Sequence, residues 1–105
     1  MKGEALIYRP DATEPERREV PGGEALLPVL QELVGGFIEP VPLWKQMPDG
    51  RACWVLCNEE GKIRNLPLNV AATDAWYSAA KINVGDTLLG TVVVVFGDEE
   101  FMEAL

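Results

Sequence analysis

Residues 41–80 read VPLWKQMPDGRACWVLCNEEGKIRNLPLNVAATDAWYSAA, and strands, tight turns and a capped helix follow one another in them almost without gaps. Pro48-Asp49-Gly50 is a turn tripeptide, because proline presets φ and glycine accepts positive φ. It separates two strand-like runs, Val41–Met47 and Ala52–Asn58. A second turn at Asn58-Glu59-Glu60-Gly61 extends this to a three-stranded antiparallel meander, with Lys62–Leu66 as a short, polar edge strand. Asn69 then stands as N-cap of a helix over Val70–Lys81. Its buried stripe is expected at Ala71, Ala75, Trp76 and Ala79 or Ala80.

Upstream, Phe37–Trp44 carries Pro40 and Pro42, which cannot donate to a ladder, so this strand lies at an edge or pairs only after Pro42. Before it, Leu26, Leu27, Leu30, Leu33 and Val34 follow helical spacing from Glu24, and Gly35-Gly36 ends the helix. Pro28 is tolerated in the first turn, where its missing N–H has no partner to lose. Glu4–Arg9 reads as a first strand stopped by Pro10-Asp11. A polar loop or edge element runs on to Arg18, and Glu19-Val20 forms a brief second strand before Pro21-Gly22-Gly23. Downstream, Asn83–Asp86 turns the chain into a strand over Thr87–Phe96. Val92–Phe96 is apolar on both faces, so that strand is central. Asp98-Glu99-Glu100 caps a short terminal helix with Phe101, Met102 and Leu105 turned inward. The expected class is α+β: a largely antiparallel or mixed sheet of about five to six strands, with two main helices and a short C-terminal one.

The chain has 105 residues, the size of a single domain spanning 1–105. That length can bury roughly two-thirds of the unfolded surface without metal or disulfide staples. No apolar run reaches the roughly 18 residues of a membrane span, and Met1-Lys2-Gly3-Glu4 opens into a strand-like segment rather than a signal peptide. The expectation is a cytoplasmic protein with no membrane partner. Seventeen acidic and nine basic residues give a formal net charge of -8. A phosphate backbone is repelled by such a balance, so no direct nucleic-acid partner is expected. Solubility accounts for most of this acidity. The carboxylates, among them Glu14, Glu32, Glu59, Asp98 and Glu103, fall on several elements rather than one face, unlike a phosphate mimic.

Cys53 and Cys57 lie four apart in a predicted strand, about 13 Å from each other at about 3.3 Å per residue, beyond disulfide reach. Both read as reduced core thiols. Cys53, Val55 and Cys57 share one face of the strand, Trp54 and Leu56 the other, so both faces are apolar.

The chain has no histidine, which removes the commonest general base and metal ligand. Glu59-Glu60 and Glu99-Glu100 read as solvated turns and helix starts, not paired acid and base. Gly22-Gly23 and Gly35-Gly36 lack the spacing of phosphate-binding loops. Neither a catalytic residue, a cofactor nor a metal is expected. The densest polar grouping surrounds the predicted helix start, where Lys62, Arg64, Asn65, Asn69, Thr73 and Asp74 are candidates to converge on a small anion. The simpler reading makes Asn69 a cap, Asn65 a turn residue, and Lys62 and Arg64 a solvated edge.

In this same segment the sequence resembles a known family. The matching pieces are Leu30-Gln31-Glu32-Leu33-Val34-Gly35-Gly36-Phe37-Ile38-Glu39, Asn58-Glu59-Glu60-Gly61-Lys62, and Leu66-Pro67-Leu68-Asn69 with Ala71-Ala72-Thr73. Val84-Gly85-Asp86 and a valine-rich strand follow. Over Leu30 to Val95 the chain is similar to the domain of unknown function 3846, met in bacteriophages, plasmids and actinobacterial genomes. Leu68 departs from the second proline usual there, and Trp44–Met47 is longer than the typical turn. The resemblance implies origin on a mobile element and carries no activity.

The leading expectation is a non-enzymatic accessory protein that binds a protein partner or itself, with Trp44, Trp54, Trp76, Tyr77 and Phe101 as interface types if exposed. The alternatives are an acidic, DNA-mimicking inhibitor of a DNA-binding protein, and an anion-binding or enzymatic domain built on Lys62–Asn69.

Overall fold

The computed structural model describes residues 3–81 and 85–105. Along the chain come β1 (Gly3–Tyr8), β2 (Glu16–Val20), α1 (Leu26–Val34, after a short 3-10 turn), β3 (Ile38–Pro40), β4 (Trp54–Asn58), α2 (Val70–Ala80), β5 (Val92–Gly97) and α3 (Glu99–Glu103). The five strands form one sheet in the order β2-β1-β5-β4-β3. Every neighbouring pair is antiparallel. The fold is therefore α+β, with three helices on an antiparallel sheet.

Strand alternation sends two sets of side chains to opposite sides. Ala5, Ile7, Leu56, Val93 and Val95 meet α1 and α3 on one face. Val55, Val92, Val94 and Phe96 meet α2 and the chain between β3 and β4 on the other. The valine run of β5 lies at the centre of the sheet and is buried throughout from Val92 to Phe96, as expected of a strand apolar on both sides.

On the first face, α1 buries Leu26, Leu30 and Val34, one stripe at spacing four, while Leu27 points outward. Gly35 ends the helix at φ 78, a left-handed conformation that costs glycine little. Asp98 caps α3, its side chain accepting the Phe101 amide at 2.8 Å, and Phe101 is fully buried. The Phe101 ring lies against Gly3, where a Cβ would come within 2.0 Å of it.

On the second face, Asn69 caps α2 as expected, accepting the Ala72 amide at 3.0 Å. The buried stripe is Ala72, Thr73 and Trp76, rotated from the expected Ala71 and Ala75, which are only partly buried. The rotation follows from Thr73, whose hydroxyl donates to the Asn69 carbonyl at 2.7 Å and accepts the Leu88 amide at 3.0 Å.

The predicted meander is corrected in two places. Pairing of the incoming strand begins at Ile38, ahead of Val41, with Ile38 opposite Asn58 and Pro40 opposite Leu56. Phe37 accepts from Glu59, just past β4, and Val41 donates to Val55 within it, so alternation turns the nitrogen of Pro40 outward, where no donor is required. β3 is accordingly an edge strand. Residues 41–53 then leave the sheet as a long arm, closed by a single bridge, Gln46 to Ala52, around the Pro48-Asp49-Gly50 turn.

Second, Lys62–Leu66 is no strand. Arg64 donates to Glu60 at 2.8 Å and Leu66 to Gly61 at 2.9 Å, so the segment coils into successive turns with Asn65 left-handed at φ 52. The sheet component of Thr87–Phe96 also starts later, at Val92. Before it, Leu89 forms one bridge with Leu68, and Gly90 turns at φ 76. Of the expected Asn83–Asp86 turn, Asn83 and Val84 lie outside the described residues.

Candidate functional site

The polar residues singled out around the start of α2 go to different tasks. Asn69 is fully buried, and besides capping the helix its amide donates at 2.8 Å to both the Tyr8 and Gly90 carbonyls. One side chain thereby ties α2 to β1 and to the entry of β5. Thr73 completes this joint through Leu88. Arg64 reaches the other way and donates to the Gly35 carbonyl at 3.2 Å, beside Asn58, which donates to the Val34 carbonyl at 3.0 Å. Together they satisfy carbonyls that the end of α1 leaves open. Lys62 pairs with Asp86 at 2.6 Å, and this hydrogen bond holds the Asp86 carboxyl below its ordinary value. Asn65 and Asp74 are exposed. The structure thus brings Asn69 and Thr73 together as a buried joint and directs Lys62 and Arg64 to separate partners.

The second sheet face carries two clefts, one on each side of Trp76. Trp76 donates from its indole nitrogen to the Pro42 carbonyl at 2.7 Å, pinning the 41–53 arm to α2.

The smaller cleft, about 250 Å³, opens over the β3–β4 edge. Glu39, Val41, Cys57 and Glu59 form its floor, and Lys62, Ile63 and Leu88 stand among its walls. Cys57 is half-buried and donates weakly to the Glu39 carbonyl at 3.6 Å. Burial pushes its thiol up to about 11, with the Glu39 charge adding to the effect. Cys53 is likewise pushed up to about 11 by burial. Both are free thiols and protonated at neutral pH. Of the six polar candidates, only Lys62 lines this cleft.

The larger cleft, about 480 Å³, lies over β1 and β5. Leu6 and Val94 form its floor. Trp44 and Met47 of the arm make one wall, Ala75 and Ala79 of α2 the other. The Trp44 ring meets Tyr8 edge-on, 6.0 Å between centroids at 63°. Burial raises the Tyr8 phenol above its ordinary value. The tip of the arm is held by Arg51, whose guanidinium sits 5.0 Å above the Phe96 ring and also binds Asp49 at 2.8 Å. Sequence reasoning missed this cleft. Its one available signal was the pair of alanines at spacing four on α2, which marks room left beside a helix as readily as close packing.

The exposed large apolar residues include Ile63, 84% exposed on the wall of the smaller cleft, and Phe37, 65% exposed. Phe37 directly precedes β3, its carbonyl accepting the Glu59 amide at 2.9 Å. Of the aromatics expected at an interface, Trp44, Trp76 and Phe101 are core, Tyr77 is half-buried, and Trp54 is exposed.

Among the described residues, no group of three or more histidine, cysteine, aspartate or glutamate side chains could hold a metal ion, and no helix is long and apolar enough to cross a membrane. No curated protein and no solved structure matches the chain. A family model does, over residues 1–104, extending beyond the Leu30–Val95 stretch on which the resemblance was read. The chain belongs to the family described as Domain of unknown function (DUF3846).

Proposed function

We propose that this domain is a non-enzymatic accessory protein that acts by binding another protein through the β3 end of its sheet, in the setting of a phage, prophage or plasmid. The observation that carries the reading is the exposure of Phe37 and Ile63 beside an edge strand. Phe37 directly precedes β3 and Ile63 lies in the turn after β4, and exposed apolar groups beside a sheet edge are what a partner surface buries. The protonated thiols support a non-catalytic role, because a thiol held at about 11 is a poor nucleophile at neutral pH.

The acidic-inhibitor alternative has less behind it. Glu4, Glu16, Asp49 and Asp86 are each paired with a neighbouring Arg or Lys, so their charge is neutralised locally rather than displayed in a phosphate-like row. The anion-binding alternative loses Asn69 and Thr73 to internal hydrogen bonds.

The test is capture from host lysate by tagged wild type and by a Phe37→Ser, Ile63→Ser double variant of equal melting temperature. A protein retained in stoichiometric amount by the wild type and released by the variant is the expected result. Retention of the same protein by both moves the interface elsewhere. Light scattering on the pure chain separates self-association from binding to a different protein.

A further inference from the structure

We infer that the 480 Å³ cleft between α2 and the 41–53 arm is a binding site for a small planar aromatic molecule that is uncharged or carries one negative charge. The site lies on the far side of Trp76 from the β3 edge and does not depend on that edge binding a protein.

The volume falls within the roughly 300–1,000 Å³ typical of small-molecule sites, and its walls are predominantly apolar. The room exists because α2 presents Ala75 and Ala79 there; a leucine at either position would fill the space and close the contact with Met47 and Trp44. Both bounding elements are anchored independently of any occupant. The arm is pinned at Pro42 by Trp76 and at Arg51 over Phe96, and the helix is pinned at Asn69. The cleft is therefore preformed, and a ligand entering it does not have to separate packed surfaces.

Ligand shape follows from the lining. Trp44 and Tyr8 already meet edge to face, an arrangement that a further aromatic ring can extend. Met47 supplies an unbranched thioether that adapts to a flat ring.

Ligand charge follows from a contrast with the rest of the chain. The sequence holds seventeen acidic residues, yet among the described residues none lines this cleft, and Lys81 stands at its mouth with Gln46 and Ser78. Asp49, flanked in sequence by the lining residues Pro48 and Gly50, is turned to Arg51 at the tip of the arm. A cation would find no counter-charge here, whereas a carboxylate projecting from the mouth meets an ammonium and two hydrogen-bonding side chains.

The experiment is a ¹H–¹⁵N titration of the full chain with three probes that share one ring and differ in charge: indole, indole-3-acetate and tryptamine. Expected are shifts at the Tyr8, Gln46, Met47, Ala75 and Ala79 amides with indole and indole-3-acetate, the acetate tighter and tryptamine weakest. Ala79→Leu lowers affinity by about tenfold or more, a loss of about 1.4 kcal/mol. Ala75→Leu does the same, should Ala79→Leu fail to fold. Lys81→Gln removes the preference for the acetate over indole and leaves indole binding in place. The inference is overturned if none of the probes moves those amides, if tryptamine binds best, or if both leucine variants bind as the wild type does.

Discussion

The two faces of the sheet are covered to different depths. Against α1 and α3 the centre of the sheet is closed: Ala5, Ile7, Leu30 and Phe101 have essentially no exposed surface, and the ring of Phe101 sits directly on Gly3, while Trp54 stays exposed at the margin. Against α2 the coverage is shared between a helix and an irregular arm, and two clefts remain on either side of the tryptophan that joins them. The difference arises from the covering elements. An amphipathic helix with leucines at spacing four fills the furrow of a twisted sheet, whereas a helix bearing alanine at 75 and 79 beside a pinned loop does not. One face supplies cohesion, and the other supplies cohesion only along its centre line.

The largest effect should come from the closed face. Phe101→Ala is expected to cost about 3–5 kcal/mol in urea unfolding, since it opens a cavity that neither Gly3 nor the valines of β5 can fill. A loss below about 1 kcal/mol would break the comparison, because that face would then be able to relax.

Asn69→Ala comes next, at about 2–3 kcal/mol. It removes a helix cap and leaves the Tyr8 and Gly90 carbonyls without their donor. Asn69→Asp keeps the cap acceptor but sets a buried carboxylate against the two carbonyl oxygens, so at neutral pH it should lower the denaturant midpoint at least as much as Asn69→Ala.

The same substitution made on each face sharpens the contrast. Ala5→Leu should destabilise by about 1–3 kcal/mol through overpacking, while Ala79→Leu should leave stability within about 0.5 kcal/mol because open space receives it. Equal costs would mean that the cleft is packed as tightly as the core.

The smallest effect is a pH dependence. Both thiols titrate near 11 in the folded chain against an ordinary value of 9.0, so their burial stabilises the fold fully below pH 9. As pH rises through 9 to 11, the unfolded chain releases these protons while the folded one retains them, and stability falls. Replacing both cysteines with alanine should flatten this part of the melting-temperature profile.

Much of this molecule was legible in its sequence, and the failures have local causes. The valine run of β5, the caps at Asn69 and Asp98, and the glycine stop after α1 each rest on one dominant physical preference, and each stands where it was expected. Lys62–Leu66 misled because a short polar run after a turn fits an edge strand on paper. With Gly61 at its head and Ile63 facing water, nothing holds them extended, and backbone bonds within the segment coil it instead. The start of β3 was placed too late because Pro40 and Pro42, unable to donate, argue that pairing begins only after them. Register shows that Pro40 is harmless when its nitrogen points away from the ladder. The larger cleft was illegible for a different reason. It is a distance between two elements, and its walls are set by tertiary anchors at Pro42, Phe96 and Gly90 that no local pattern encodes.

The placement of β1 beside β5 has a consequence for how this chain is made. Strand β1 must wait for a partner synthesised long after it, since Gly3 pairs with Gly97 and Tyr8 with Val92. Until then only the β1–β2 and β3–β4 hairpins can form, and each exposes, besides its outer edge, the ladder edge that β5 later covers. At about 5–20 residues per second, the interval from the emergence of Tyr8 to that of Val92 lasts several seconds. Throughout it the edges that will become the middle of the sheet are open to any neighbouring strand. Crowded translation of this chain should therefore favour exchange of β5 between copies, and a chain truncated before Val92 should fail to form a sheet rather than form a smaller one.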